Sequence, residues 1–122
     1  MQRELAREKI LSFLGLATRA GKTISGSDAV MEALRTGAAV LTIVARDASL
    51  RTKKNILREA DRAGVPCYFF SSRVLLGKFL GKEDRAVCAV TDEGFSKKLI
   101  QLLSEETAPD REPFPMKDKG EK

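Results

Sequence analysis

The stretch Gly15-Leu16-Ala17-Thr18-Arg19-Ala20-Gly21-Lys22-Thr23 comes nearest to a chemical device, the glycine-rich loop that cradles a nucleotide phosphate. That loop needs four residues between its glycines, and here five intervene. It also follows a buried strand and opens a helix, whereas these residues finish an amphipathic helix and lead into an extended link. No later apolar run supplies the aspartate that would hold magnesium. Gly21 therefore reads as a helix terminator with Lys22 and Thr23 on the surface, and nucleotide hydrolysis is disfavoured. Histidine, the commonest general base and metal ligand, is absent. Cys67 and Cys88 stand singly inside apolar runs without metal-ligand spacing, which reads as two reduced core thiols. The residues thus argue against an enzyme, a bound metal or cofactor, and a small-molecule substrate.

What remains is charge and helix ends. Formal net charge is +5, but residues 105–122 hold four basic and six acidic side chains, leaving 18 basic against 11 acidic in residues 1–104. A body of net +7 points to a polyanionic partner. Gly26-Ser27-Asp28 opens a helix, and open N–H groups there can donate to phosphate or sugar oxygens while glycine admits a close backbone. The plainer reading makes Ser27 an N-cap, and the two are compatible.

The elements that must position these groups follow from periodicity. Ile10, Phe13, Leu14 and Ala17 recur at helical spacing from Arg3 to Arg19. An extended link over 22–25 precedes a helix to Thr36, with Val30, Ala33 and Leu34 inward and Gly37 as its stop. The β-branched run 40–45 predicts a strand buried on both faces. Asp47-Ala48-Ser49 caps a helix over 50–63 that buries Ile56, Leu57 and Ala60, ended by Gly64-Val65-Pro66. A second core strand is expected over 67–70, a helix capped by Ser71-Ser72 through Leu80, a third core strand over 86–90, and a last helix capped by Asp92 that buries Phe95, Leu99, Leu102 and Leu103. Alternating strands and helices predict an α/β protein, with helices on both faces of a parallel or mixed sheet. Residues 1–104 are expected to form one domain and 105–122 a disordered tail, since Pro109, Pro113 and Pro115 lie there among charges.

Several collinear segments carry a resemblance: 19–26 (RAGKTISG), 37–41 (GAAVL), 45–49 (ARDAS), Val65-Pro66, 76–82 (LGKFLGK) and 92–99 (DEGFSKKL). As an ordered set they resemble the L7Ae/L30e ribosomal protein family, especially its bacterial YlxQ-like branch. The resemblance implies a three-layer α/β/α sandwich around a four-stranded mixed sheet, with 22–25 giving the extra short strand. It also implies binding of structured RNA of the kink-turn type, a helix bent sharply at a bulge beside sheared G·A pairs, and an association with the ribosome or its assembly. The RNA surface would come from 26–32 and 81–86. On that placement Gly26, Ser27, Asp28 and Glu32 face RNA, and Lys78, Lys82 and Arg85, with Lys22 and Arg46, neutralise phosphates. Asp28 stands where kink-turn binders commonly carry asparagine, Ala29 replaces a polar residue, and Glu32 reverses the charge of a lysine that many relatives carry. These departures predict a kink-turn preference weaker than the family's.

Arg51, Lys53, Lys54, Arg58 and Arg62 read as a solubilising face of the third helix, and Lys97 and Lys98 likewise. The competing readings are a protein-interaction module that kept the fold but lost RNA binding, and a nucleotide-using enzyme. The charged N-terminus predicts no secretory signal, and no apolar run approaches a membrane span. A cytoplasmic monomer is the expectation.

Overall fold

The computed structural model describes residues 2–107. Five helices and four strands alternate: α1 Gln2–Arg19, β1 Thr23–Ser25, α2 Ser27–Thr36, β2 Leu41–Val44, α3 Leu50–Ala63, β3 Cys67–Phe69, α4 Arg73–Phe79, β4 Val87–Val90 and α5 Glu93–Thr107. The strands form one mixed sheet in the order β1-β4-β2-β3. β4 runs antiparallel to both β1 and β2, while β2 and β3 are parallel. The α/β/α class expected from the sequence is the one observed.

Every residue of β2 and β4 is buried. Successive side chains therefore go to opposite layers. Leu41, Ile43, Cys88 and Val90 join Ile10 and Leu14 of α1, Leu76 of α4, and Leu99 and Leu103 of α5. Val44, Val87 and Ala89 face Val30 and Leu34 of α2 and Ile56 and Ala60 of α3. Phe13 and Phe95 fix α1 on α5, with ring centroids 5.1 Å apart. Cys67 and Cys88 are buried and free of any disulfide. Burial pushes the Cys88 thiol up to about 12 and the Cys67 thiol up to about 11, the latter despite a hydrogen bond with Thr42.

Most strand ends shift by one residue from the sequence reading, and two differences have a clear physical reason. Among the described residues β3 is an edge strand, since the sheet order gives it β2 as its one neighbour. Its apolar character serves both layers all the same, because Tyr68 packs on one core and Phe69 on the other. The last helix runs to Thr107 and so takes in three residues, 105 to 107, assigned to the tail. The cause is Glu106, buried on the helix face of Leu99, Leu102 and Leu103, where it receives Arg46 Nη2 on both carboxylate oxygens (3.2 and 3.3 Å) with Arg7 Nε at 3.7 Å. The remainder of the expected tail, 108–122, lies outside the described residues.

Candidate nucleic-acid interface

Strand register decides which of the candidate residues meet. Ser25 pairs with Cys88 and Val44 with Val87. The Gly26 N–H donates to the Val87 carbonyl and the Ala45 N–H to the Ala86 carbonyl, at 3.0 and 2.8 Å. One rim of the sheet therefore gathers the end of β1, the start of α2, the end of β2 and the 81–86 loop that enters β4.

α2 starts on this rim in an unusual way. Its N-cap is Gly26 at φ 99°, a conformation side chains resist, and no side chain caps the helix. Ser27 is already helical, so the expectation that it acts as the cap does not hold. The first intrahelical bond goes from the Val30 N–H to the Gly26 carbonyl at 2.9 Å. The amides of Ser27, Asp28 and Ala29 thus precede the helical ladder and, with the helix dipole, favour an anionic oxygen. Helices α3, α4 and α5 fill this position: Ser49 accepts from the Thr52 amide at 3.1 Å, Ser72 from the Leu75 amide at 3.2 Å, and Asp92 from the Phe95 amide at 2.9 Å.

The 81–86 loop is folded tightly onto α4. A Cβ on Gly77 would fall 2.8 Å from both the Asp84 nitrogen and the Glu83 carbonyl oxygen, so glycine alone lets the loop lie there. Arg73 Nη2 pairs with Asp84 Oδ2 at 3.0 Å, and the Arg85 N–H donates to the Arg73 carbonyl at 3.1 Å. Arg85 then reaches the other side of the rim: its Nε donates to Ser25 Oγ at 3.1 Å and its Nη1 to the Asp84 carbonyl at 3.0 Å. This guanidinium ties the loop to the residue before Gly26.

Asp28 and Glu32 lie on the α2 face toward α3. They line a groove with Ser27, Met31, Arg35, Arg51, Thr52, Asn55 and Ile56. Glu32 Oε1 meets Arg35 Nη1 at 3.5 Å, so its charge is partly answered within the helix. Arg51, expected on a solubilising face, forms the far wall of this groove together with Asn55, which the sequence did not single out. Their spacing of four, which puts both on one side of α3 beside the capping Ser49, was the available signal.

The remaining candidates divide. Arg46 lies just past β2 on the same rim, about half exposed, with its guanidinium held by Glu106. Lys78 and Lys82, both exposed, are set back at the end of α4, where Lys78 Nζ lies 5.8 Å from the Phe79 ring centroid. Lys22 does not join them. Its carbonyl accepts from the Thr91 N–H at 3.0 Å, which places it at the opposite end of β1, about 13 Å from Gly26 at the usual rise per residue. The segment 15–23 that resembles a phosphate loop is thus the end of α1, the turn after it with Gly21 at φ 74°, and the first residue of β1.

Fold and rim together define a class, the small α/β/α sandwiches of ribosomal-protein type. Residues 8–100 match the Ribosomal protein L7Ae/L30e/S12e/Gadd45 family, and the chain belongs to that family. Within it the chain sits in the YlxQ-like branch. It is 46% identical over 90 residues to the protein named RNA-binding protein YlxQ of Bacillus subtilis (strain 168), covering 74% of this chain and 90% of that one. Another protein of that name, from Enterococcus faecium, is 36% identical over 97 residues, covering 80% and 93%. A solved structure described as a protein with unknown function from Bacillus halodurans C superposes with TM-score 0.77 at 38% identity, over 79% of this chain and 97% of that one. The Giardia lamblia 15.5kD RNA binding protein shares the fold at TM-score 0.71 and 17% identity, over 86% and 88%. Among the described residues no helix is long and apolar enough to cross a membrane, and no cluster of His, Cys, Asp or Glu could hold a metal ion.

Proposed function

We propose that this protein is a non-catalytic RNA-binding protein that holds sharply bent, kink-turn-like RNA on the rim where α2 begins, as part of a ribosome or its assembly. The observation that carries the reading is the uncapped start of α2 at Gly26, tied through Ser25 and Arg85 to the 81–86 loop. Open amides beside a guanidinium suit phosphate and sugar oxygens, and the groove behind them offers Asp28 and Asn55 to a base edge. Relatives that bear an RNA-binding name support the partner class.

A gel-shift titration against a kink-turn, a plain duplex and a single strand tests this. The kink-turn is expected to bind tightest, losing about tenfold or more between ~50 and ~200 mM salt, because phosphate neutralisation releases counterions. Equal, feeble binding to all three would favour a protein partner, for which the acidic Asp28 and Glu32 in the groove would then be the contact residues.

A further inference from the structure

Arg51, Lys54, Arg58 and Arg62 are all exposed on α3. Their spacing of three or four residues puts them in one row, on the side opposite the buried Ile56 and Ala60. The row extends about 16 Å at the helical rise. Between Arg51 and Arg62 every exposed residue is charged. Of the helix's acidic residues, Glu59 falls roughly 60° beyond the row's Arg62 edge, while Asp61 borders its Lys54 edge, roughly 20° away at 3.6 residues per turn. Ion pairs elsewhere join Arg7 and Arg46 to Glu106, Arg35 to Glu32 and Arg73 to Asp84. Lys53 is different, for its Nζ lies over the Phe69 ring at 5.5 Å.

A merely solubilising face mixes both signs. This row has one sign at every turn and starts inside the candidate site, because Arg51 lines the groove with Ser27 and Asp28. Leu50, at the start of α3, is its one large exposed apolar residue among the described residues, and from Arg51 to Arg62 the row offers none of the clustered aromatic or aliphatic anchors that protein interfaces are built around. We infer that the α3 row binds the phosphate backbone of a duplex arm leaving the bent RNA, so that the RNA runs from the rim down the α2–α3 layer. The inference rests on the RNA-binding reading above.

The test compares kink-turn RNAs in which either arm is long or cut back, using wild type, Arg58→Gln/Arg62→Gln and Arg85→Gln. Glutamine keeps helix propensity close to that of arginine. Wild type is expected to bind one long-arm RNA about tenfold tighter than its shortened form. The double variant should lose that gain, with a log–log salt slope about two units shallower, and match wild type on the short-arm RNA. Lys97→Gln/Lys98→Gln, which removes equal charge from α5 on the other layer, should change neither quantity by more than about twofold. Unchanged affinity and slope in the double variant, with Arg85→Gln weakened, would overturn the α3 row and leave the rim standing. No RNA binding by wild type would overturn both. Equal loss in the Lys97/Lys98 control, or competition by polyglutamate as strong as by duplex, would also refute the row.

Discussion

Gly77 sits inside α4, where glycine costs about 1 kcal/mol relative to alanine. Its role lies across the gap, where the backbone of Glu83 and Asp84 rests against the bare Cα. Gly77→Ala must push backbone rather than a pliable side chain, so a loss of about 1–3 kcal/mol is expected on thermal unfolding. The same shift would carry Arg85 away from Ser25, and kink-turn affinity should fall with it. The thiols give a second prediction at this scale. Cys67 and Cys88 titrate near 11 and 12 when folded against an ordinary 9.0, so the unfolded chain releases these protons first. Their contribution is intact below about pH 9, and stability should decline as pH rises above it. In the native protein at pH 8 neither thiol should react with a disulfide reagent on the timescale that titrates both in denaturant; prompt native reaction would contradict their burial. The sequence marked both cysteines as core. It did not mark Gly77 as a contact, because its partner lies in a loop whose path no periodicity encodes.

At the level of elements, α2 concentrates the functional question. α3, α4 and α5 satisfy their first amides with Ser49, Ser72 and Asp92, whereas α2 leaves its own open behind Gly26. Its groove face is acidic, with Asp28 and Glu32 set against Arg35 and Arg51. Glu32→Lys places a third cation on that face and removes a negative charge from the path of the RNA. Kink-turn binding is expected to tighten about tenfold, a change of about 1.4 kcal/mol, as read by gel shift at fixed salt. Unchanged affinity would place the RNA elsewhere on the molecule. Periodicity and turn residues located each of these elements, and α3 starts and stops at the expected residues, Leu50 and Ala63. The identity of the cap at α2 was not legible, since Gly26 and Ser27 are both good N-cap residues and only the observed φ of Gly26 separates them. The extent of α5 was also hidden, because Glu106 looks like tail chemistry until Arg46, sixty residues away, is brought beside it.

Across the whole molecule, sheet topology sorts charges that the sequence can only pool. Lys22 and Arg85 lie near one another in any list of basic residues beside β1, but the antiparallel β1–β4 pairing sends them to opposite ends of the strand. Lys22 goes with Thr91, and Arg85 with Ser25. Strand direction relative to a neighbour is a long-range property, which is why grouping basic residues around the surface that the resemblance implies put both in one site. The separation has a measurable consequence. A charge about 13 Å from the rim lies beyond the screening length of ~8 Å at physiological salt. Lys22→Gln should therefore leave kink-turn affinity within about twofold of wild type, whereas Arg85→Gln, which loses both a cation and the tie between loop and strand, should weaken it about tenfold or more. Measured together in a filter-binding titration, the pair tests the rim itself: equal losses would mean that RNA spans both ends of the sheet, and the site would have to be redrawn around α1 and β1 instead of α2.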